Sequence, residues 1–167
     1  MTTIAIVTST QVGGIGINDR LPWINLSILK DNYDELATDQ IVLVGKNSAF
    51  SFEYIRGAVT YVYTREEDSF IETDTIKRIS GTPHDVINAL KEAHPDKNII
   101  IGGGESLFNI FYDYIDEWRV TIIEEFVVYN RDLNLTGIQS SFRKHRLVAT
   151  GVDLNQSFST WHYANET

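Results

Sequence analysis

Asn98-Ile99-Ile100-Ile101-Gly102-Gly103-Gly104-Glu105-Ser106 decides the fold class of this chain. An unbroken apolar run, as in Asn98 to Ile101, predicts a strand covered on both faces. It enters directly on three glycines, and a helix is predicted from Glu105 to about Tyr114. Glycines let backbone approach a bulky anion closely, and a helix start offers N–H groups with no partner of their own. A pyrophosphate suits that place. A tight strand-to-helix turn without a ligand suits it equally, since a glycine run alone is a weak signal. The spacing is not GxGxxG, so the two-glycine dinucleotide fingerprint does not apply.

The same design recurs on either side. Ile41 to Val44 (IVLV) is a second buried strand, followed by Gly45-Lys46-Asn47-Ser48 at the start of a short helix to about Tyr54. In an acidic chain Lys46 fits a phosphate partner, though an exposed surface lysine is commoner. Ala58 to Thr64 (AVTYVYT) is rich in β formers and ends at Thr64-Arg65. A hydroxyl beside a guanidinium suits a ribose 2′-phosphate. Taken alone, Arg65 reads as a solvated charge facing Glu66, Glu67 and Asp68 in a charged loop to Asp74. Three strand ends with anion-friendly groups are worth more than any one, because ligands of open α/β sheets bind outside the carboxyl ends of the strands.

The remaining segments complete an alternation of strands and helices. Thr3 to Thr8 (TIAIVT) reads as a strand, and Gly13 to Asp19 as a turn-rich stretch. Asn25 to Leu36 has helical spacing, with Leu26, Leu29, Tyr33 and Leu36 on one side and Asn25 as a cap. Thr82-Pro83 predicts an N-cap and first-turn proline for a helix to about Ala93, stopping before Pro95. Trp118 to Val128 is a long strand, with Asp116-Glu117 as a loop before it. Arg146 to Val152 and Ser157 to Tyr163 form a closing antiparallel hairpin. The alternation predicts an α/β fold with a largely parallel sheet.

Composition narrows the function classes. The 167 residues, 43% of them apolar, suffice for one domain with a real core. A net charge of -9 argues against an extended nucleic-acid surface. It leaves room for an anionic cofactor held by a few local donors. There are no cysteines, which excludes disulfides, thiolate metal sites and a Cys nucleophile. The start Met1-Thr2-Thr3 lacks the features of a signal peptide, and no apolar run reaches membrane-spanning length. A cytoplasmic location is expected. His84, His94, His145 and His162 show no HxxxH spacing, so no metal site is predicted. His84 falls in a first helical turn and His162 in a strand. Glu124 and Glu125 are strand neighbours on opposite faces and cannot share a substrate.

The most specific stretch is Ile15-Gly16-Ile17-Asn18-Asp19-Arg20-Leu21-Pro22-Trp23, after the first strand. With VGKNS (44–48) and IIIGGG (99–104) following in order, the chain resembles the dihydrofolate reductase family over nearly its whole length. That family has an IG…LPW block, a strand ending in MGR.T and a late IGG(G) before a helix. The resemblance implies a three-layer α/β sandwich: a central, mostly parallel, twisted sheet of about eight strands with a C-terminal antiparallel hairpin. It also implies a single domain over 1–167, NADPH as cofactor, and a monomer acting on a small pterin substrate with no nucleic-acid or membrane partner.

By the same resemblance, Ile15, Gly16, Asp19 and Leu21 belong to the loop that closes over nicotinamide, and Trp23 is the active-site tryptophan. Gly45, Lys46, Asn47 and Ser48 are cofactor contacts, and Thr64 and Arg65 form the 2′-phosphate region. Val7, Ile101, Gly102, Gly103, Gly104, Glu105 and Ser106 flank the nicotinamide and pyrophosphate. Thr121 assists the pterin-binding acid. Ile6, Thr8, Asn25, Ile28, Leu29, Asn32, Phe52 and Arg56 fall on the substrate side, although Phe50 and Phe52 suit a plain core role as well.

The departures lie mostly on that substrate side. The family places a buried Asp or Glu a few residues after LPW, where a carboxylate offers two acceptors to the pterin's paired N–H donors. Counting without gaps from Trp23 puts Ile28 there; a deletion brings Asn25, and an insertion brings Asp31, into the place. Counting back from Val62-Tyr63-Thr64 puts Ala58 at the arginine that clamps the substrate's glutamate tail, with Arg56 two residues upstream. Leu107 stands where a tyrosine is usual. The leading expectation is NADPH-dependent reduction of 7,8-dihydrofolate to tetrahydrofolate with weakened or altered acid catalysis. A reductase of another heterocycle, such as a riboflavin-pathway pyrimidine, and a non-catalytic nucleotide-binding or structural relative are the alternatives. The LPW block favours the first; the displaced acid and arginine favour the last.

Overall fold

Apolar runs with no polar alternation become the inner strands. In the computed structural model, which describes residues 2–10, 14–16, 33–46, 57–66, 70–123, 131–142, 144–153 and 156–165, β3 (Ile41–Gly45) and β6 (Ile99–Ile101) are the two most completely buried. The other strands are β1 (Thr3–Thr10), β2 (Gly14–Gly16), β4 (Val59–Tyr63), β5 (Ile76–Ile79), β7 (Glu117–Ile123), β8 (Arg131–Asp132), β9 (Lys144–Asp153) and β10 (Gln156–Ala164). Helices α1 (Pro83–Ala93), α2 (Glu105–Phe111) and α3 (Leu135–Ser141) join them, with a 3₁₀ turn at Tyr112–Tyr114. Eight strands form one sheet in the order β5-β4-β3-β6-β1-β7-β10-β9, and β2 pairs with β8 in a second small one. The fold class expected from the sequence is therefore the one observed.

The chain divides into two compact units: Met1–Ala5 with Asp34–Ile115, and Ile6–Tyr33 with Asp116–Thr167. In the first, β1, β3, β4, β5 and β6 run parallel, with Thr3 opposite Ile99, Ile41 opposite both Val59 and Ile99, and Thr60 opposite Ile76. Connecting parallel strands requires crossovers, and α1 supplies one. Thr82 caps it, its hydroxyl accepting from the Asp85 N–H at 3.2 Å with Pro83 in the first turn. Val86, Ile87 and Leu90 form its buried face. Asn98 ties the start of β6 into place, accepting at its Oδ1 from the Thr2 N–H at 3.0 Å and donating its backbone N–H to Gln40 Oε1 at 2.7 Å.

In the second unit β7, β10 and β9 are antiparallel, with Thr160 opposite Thr121 and Phe158 opposite Gly151. Trp118, Val120, Thr121 and Ile123 of β7 are buried while Arg119 and Ile122 are half-exposed. Asn134 caps α3, its Oδ1 accepting from the Gly137 N–H at 3.0 Å.

Several boundaries differ from the sequence reading. The helix after the glycines ends at Phe111 and tightens into the 3₁₀ turn, so it does not continue as α-helix to Tyr114. Glu117 opens β7 and is not loop. Strands β2, β5 and β8 and helix α3 were not predicted. Residues 33–37 are helical, as expected for the end of the segment from Asn25, and burial of the Tyr33 hydroxyl pushes its pKa above the ordinary tyrosine range. The rest of that segment, the short helix beyond Lys46, and the strand beyond Ile123 lie outside the described residues.

Candidate functional site

The glycine run is built into the neighbouring strand end. Gly102 donates its N–H to Leu43 O at 3.0 Å, and Gly45 donates to Gly103 O at 2.9 Å. Gly103 has φ 105°, a conformation that L side chains rarely adopt, and a Cβ there would stand 3.4 Å from the Phe108 ring. The Gly103–Gly104 peptide is cis. Gly104 precedes α2, whose first helical bond runs from the Phe108 N–H to Gly104 O at 3.0 Å. The N–H groups of the preceding turn have no partner within the helix. Glu105 is half-buried and Ser106 exposed, while Ile101 is fully buried, so its side chain belongs to the core. Leu107 is likewise buried.

The parallel register sets the second cluster. Gly45 lies opposite Tyr63, so the residues that follow each strand, Lys46 and Thr64, leave the sheet side by side. Lys46 Nζ meets Glu66 Oε2 at 2.5 Å. The Glu66 N–H donates to Thr64 Oγ1 at 3.1 Å. Arg65 is exposed. The sequence reading set Glu66 among the charges facing Arg65; the structure gives its carboxylate to Lys46, 20 residues away. Three cationic or hydroxyl groups gathered at adjacent strand ends are a suitable donor set for a phosphate.

Also in this unit, the Tyr61 hydroxyl and His94 Nε2 are 2.8 Å apart. Burial raises the Tyr61 pKa. Burial and then the charges of Lys77 and Lys97 lower that of His94. Both directions favour the neutral pair.

In the second unit Thr121 is buried, and its Oγ1 lies 2.9 Å from Thr160 Oγ1. Ile6 and Val7 of β1 are buried and Thr8 half-buried. Ile15 and Gly16 lie in β2, with Gly16 opposite Arg131. Asp19, Leu21, Trp23, Asn25, Ile28, Leu29, Asp31, Asn32, Asn47, Ser48, Phe52 and Arg56 fall outside the described residues. Sequence reasoning missed two residues that the geometry adds, Glu66 and Thr160. Aligning the ends of β3 and β4 would have suggested the first; the register of β7 against β10, strands far apart in the chain, was needed for the second. Among the described residues no three His, Asp or Glu side chains gather as a metal site. No helix of the described chain is long and apolar enough to cross a membrane.

Comparison with known proteins gives a consistent picture. The family model described as dihydrofolate reductase matches residues 2–158. A dihydrofolate reductase of Ureaplasma parvum serovar 3 is 24% identical over 164 residues, covering 94% of this chain and 93% of that protein. The solved structure of dihydrofolate reductase from Enterococcus faecalis, complexed with NADP(H) and RAB-propyl, superposes with a TM-score of 0.76 at 19% identity. That superposition covers 99% of this chain and 97% of the other.

Proposed function

The chain belongs to the dihydrofolate reductase family, and from that premise we propose that it is an NADPH-dependent oxidoreductase reducing 7,8-dihydrofolate to tetrahydrofolate, with weakened or altered acid catalysis. The observation that carries this reading is the match of the family model over residues 2–158. The donor set supports the choice of cofactor: a glycine turn with Gly103 at φ 105°, and Lys46, Thr64 and Arg65 at neighbouring strand ends.

In this reading Gly102, Gly103 and Gly104 with the first turn of α2 receive the pyrophosphate, and Lys46, Thr64 and Arg65 receive the ribose 2′-phosphate. Bound NADPH supplies a hydride. The chain's own contribution is positioning and the exclusion of water. Thr121, held by Thr160, orients a polar edge of the substrate or a water beside it. With Ile28 at the usual acid position, the ring proton comes from water near Trp23, with Asp31 helping to orient it. The same reading makes the protein one cytoplasmic domain, acting as a monomer.

The test is NADPH oxidation with dihydrofolate across mildly acid to mildly alkaline pH. Turnover that climbs steadily as pH falls is the expected result, because substrate protonated in solution then replaces an internal acid. A flat region near neutrality, lost in Asp31→Asn, overturns the altered-acid part and makes Asp31 the acid. NADPH binding with no turnover at any pH overturns the folate reading.

A further inference from the structure

We infer that Glu66 is a specificity-determining residue of the dinucleotide site: its carboxylate competes with the ribose 2′-phosphate for Lys46 and so narrows the preference for NADPH over NADH. The inference rests on the cofactor reading proposed above and deepens it.

Two groups assigned there to the 2′-phosphate are both engaged by this one residue. The Lys46 ammonium lies 2.5 Å from Glu66 Oε2, and the Thr64 hydroxyl accepts from the Glu66 backbone N–H at 3.1 Å. Glu66 therefore places a negative charge at hydrogen-bond distance from the cation that a phosphate needs. A dianionic phosphate at Lys46 must share the ammonium with that carboxylate or displace it, and suffers repulsion from it either way. A ribose with a free 2′-hydroxyl suffers no such repulsion, and it can donate its O–H to the carboxylate. Acidic residues select unphosphorylated dinucleotides in this way on other α/β sheets, whereas an arginine selects the phosphorylated form. Here Glu66 and Arg65 stand side by side in the chain and oppose one another.

The side chains of Lys46 and Glu66 are 43% and 61% exposed. An exposed ion pair contributes little by itself and separates readily. Glu66 is thus a tuning residue and not a barrier.

The experiment measures NADPH and NADH binding to wild type, Glu66→Gln and Glu92→Gln at low and high salt. Glu92 is an exposed carboxylate of α1, and its variant removes the same charge elsewhere in the unit. Glu66→Gln is expected to raise the ratio of the NADH to the NADPH dissociation constant by about fivefold at low salt and by less at high salt, mostly through tighter NADPH binding. Glu92→Gln is expected to leave the ratio unchanged. A Glu66→Gln ratio within about twofold of wild type, in a protein that binds NADPH and turns over dihydrofolate, overturns the inference and leaves the function standing. A wild type that binds neither dinucleotide overturns the cofactor reading and this inference with it. An equal rise in both variants also overturns it, assigning the effect to net charge.

Discussion

The unit of Met1–Ala5 with Asp34–Ile115 and the unit of Ile6–Tyr33 with Asp116–Thr167 bury their strands in different ways. In the first, parallel strands β3 and β6 carry continuous apolar runs with no exposed face. In the second, antiparallel β7 mixes buried and half-exposed residues and takes a polar pair, Thr121 with Thr160, into the interior. The difference decides where each can present chemistry. Parallel strands all finish on one side, so donors collect where they end: Gly45 and Lys46 beside Tyr63 and Thr64, and the glycines after Ile101. Antiparallel strands gather no such row of ends. Their candidate contribution is a buried side chain partway along a strand.

The largest test of this contrast removes one core side chain from each unit. Leu43→Ala is expected to cost about 2–5 kcal/mol and Trp118→Ala about 3–5 kcal/mol, read by denaturant unfolding. Both sites are fully buried. If residues 1–167 act as one cooperative domain, either change shifts a single transition. Two transitions, each answering to one substitution, would break that expectation and make the units independent.

A smaller effect sharpens the picture of the polar interior. Thr121→Val is expected to cost about 1–2 kcal/mol, since Thr160 then loses its buried hydroxyl partner. Thr160→Val should cost a similar amount, and the double variant less than the sum of the two. Strict additivity would show that the 2.9 Å contact carries no coupling.

The smallest expected effect belongs to His94. Its folded pKa is lowered, so the folded state favours the neutral ring and binds fewer protons than the unfolded chain just below the ordinary value of 6.5. Stability is therefore fully present above that value and declines as pH falls toward the lower folded one. His94→Asn should flatten the fall in Tm as the pH drops below the ordinary histidine value of 6.5. An unchanged slope would remove His94 from the first unit's acid response.

The same contrast explains what was legible in the sequence. The runs IVLV (41–44) and III (99–101) announced their strands, because strands buried on both faces need no alternation. Thr82-Pro83 announced α1 through the chemistry of its cap. By contrast, β5 reads Ile-Lys-Arg-Ile, with two of its four residues exposed at the sheet edge. Its strand character comes from pairing with β4 and not from its own pattern. Helix α3 has only seven residues and includes a glycine, too short for a periodic signal. At the candidate site, the glycine turn, Lys46 and Thr64-Arg65 could be singled out as residues. The Lys46–Glu66 pairing could not, because it depends on the alignment of two parallel strands far apart in the chain.

Strand order also has a consequence for how the chain is made. β1 leaves the ribosome well before its partner in the parallel ladder, β6, which lies almost a hundred residues later: Thr3 pairs with Ile99. Its neighbour on the other side, β7, is later still. At about 5–20 residues per second, translation leaves Ile4, Ala5, Ile6 and Val7 without either neighbouring strand for several seconds. Through that interval the nascent chain presents an apolar β-segment that the finished sheet will later cover.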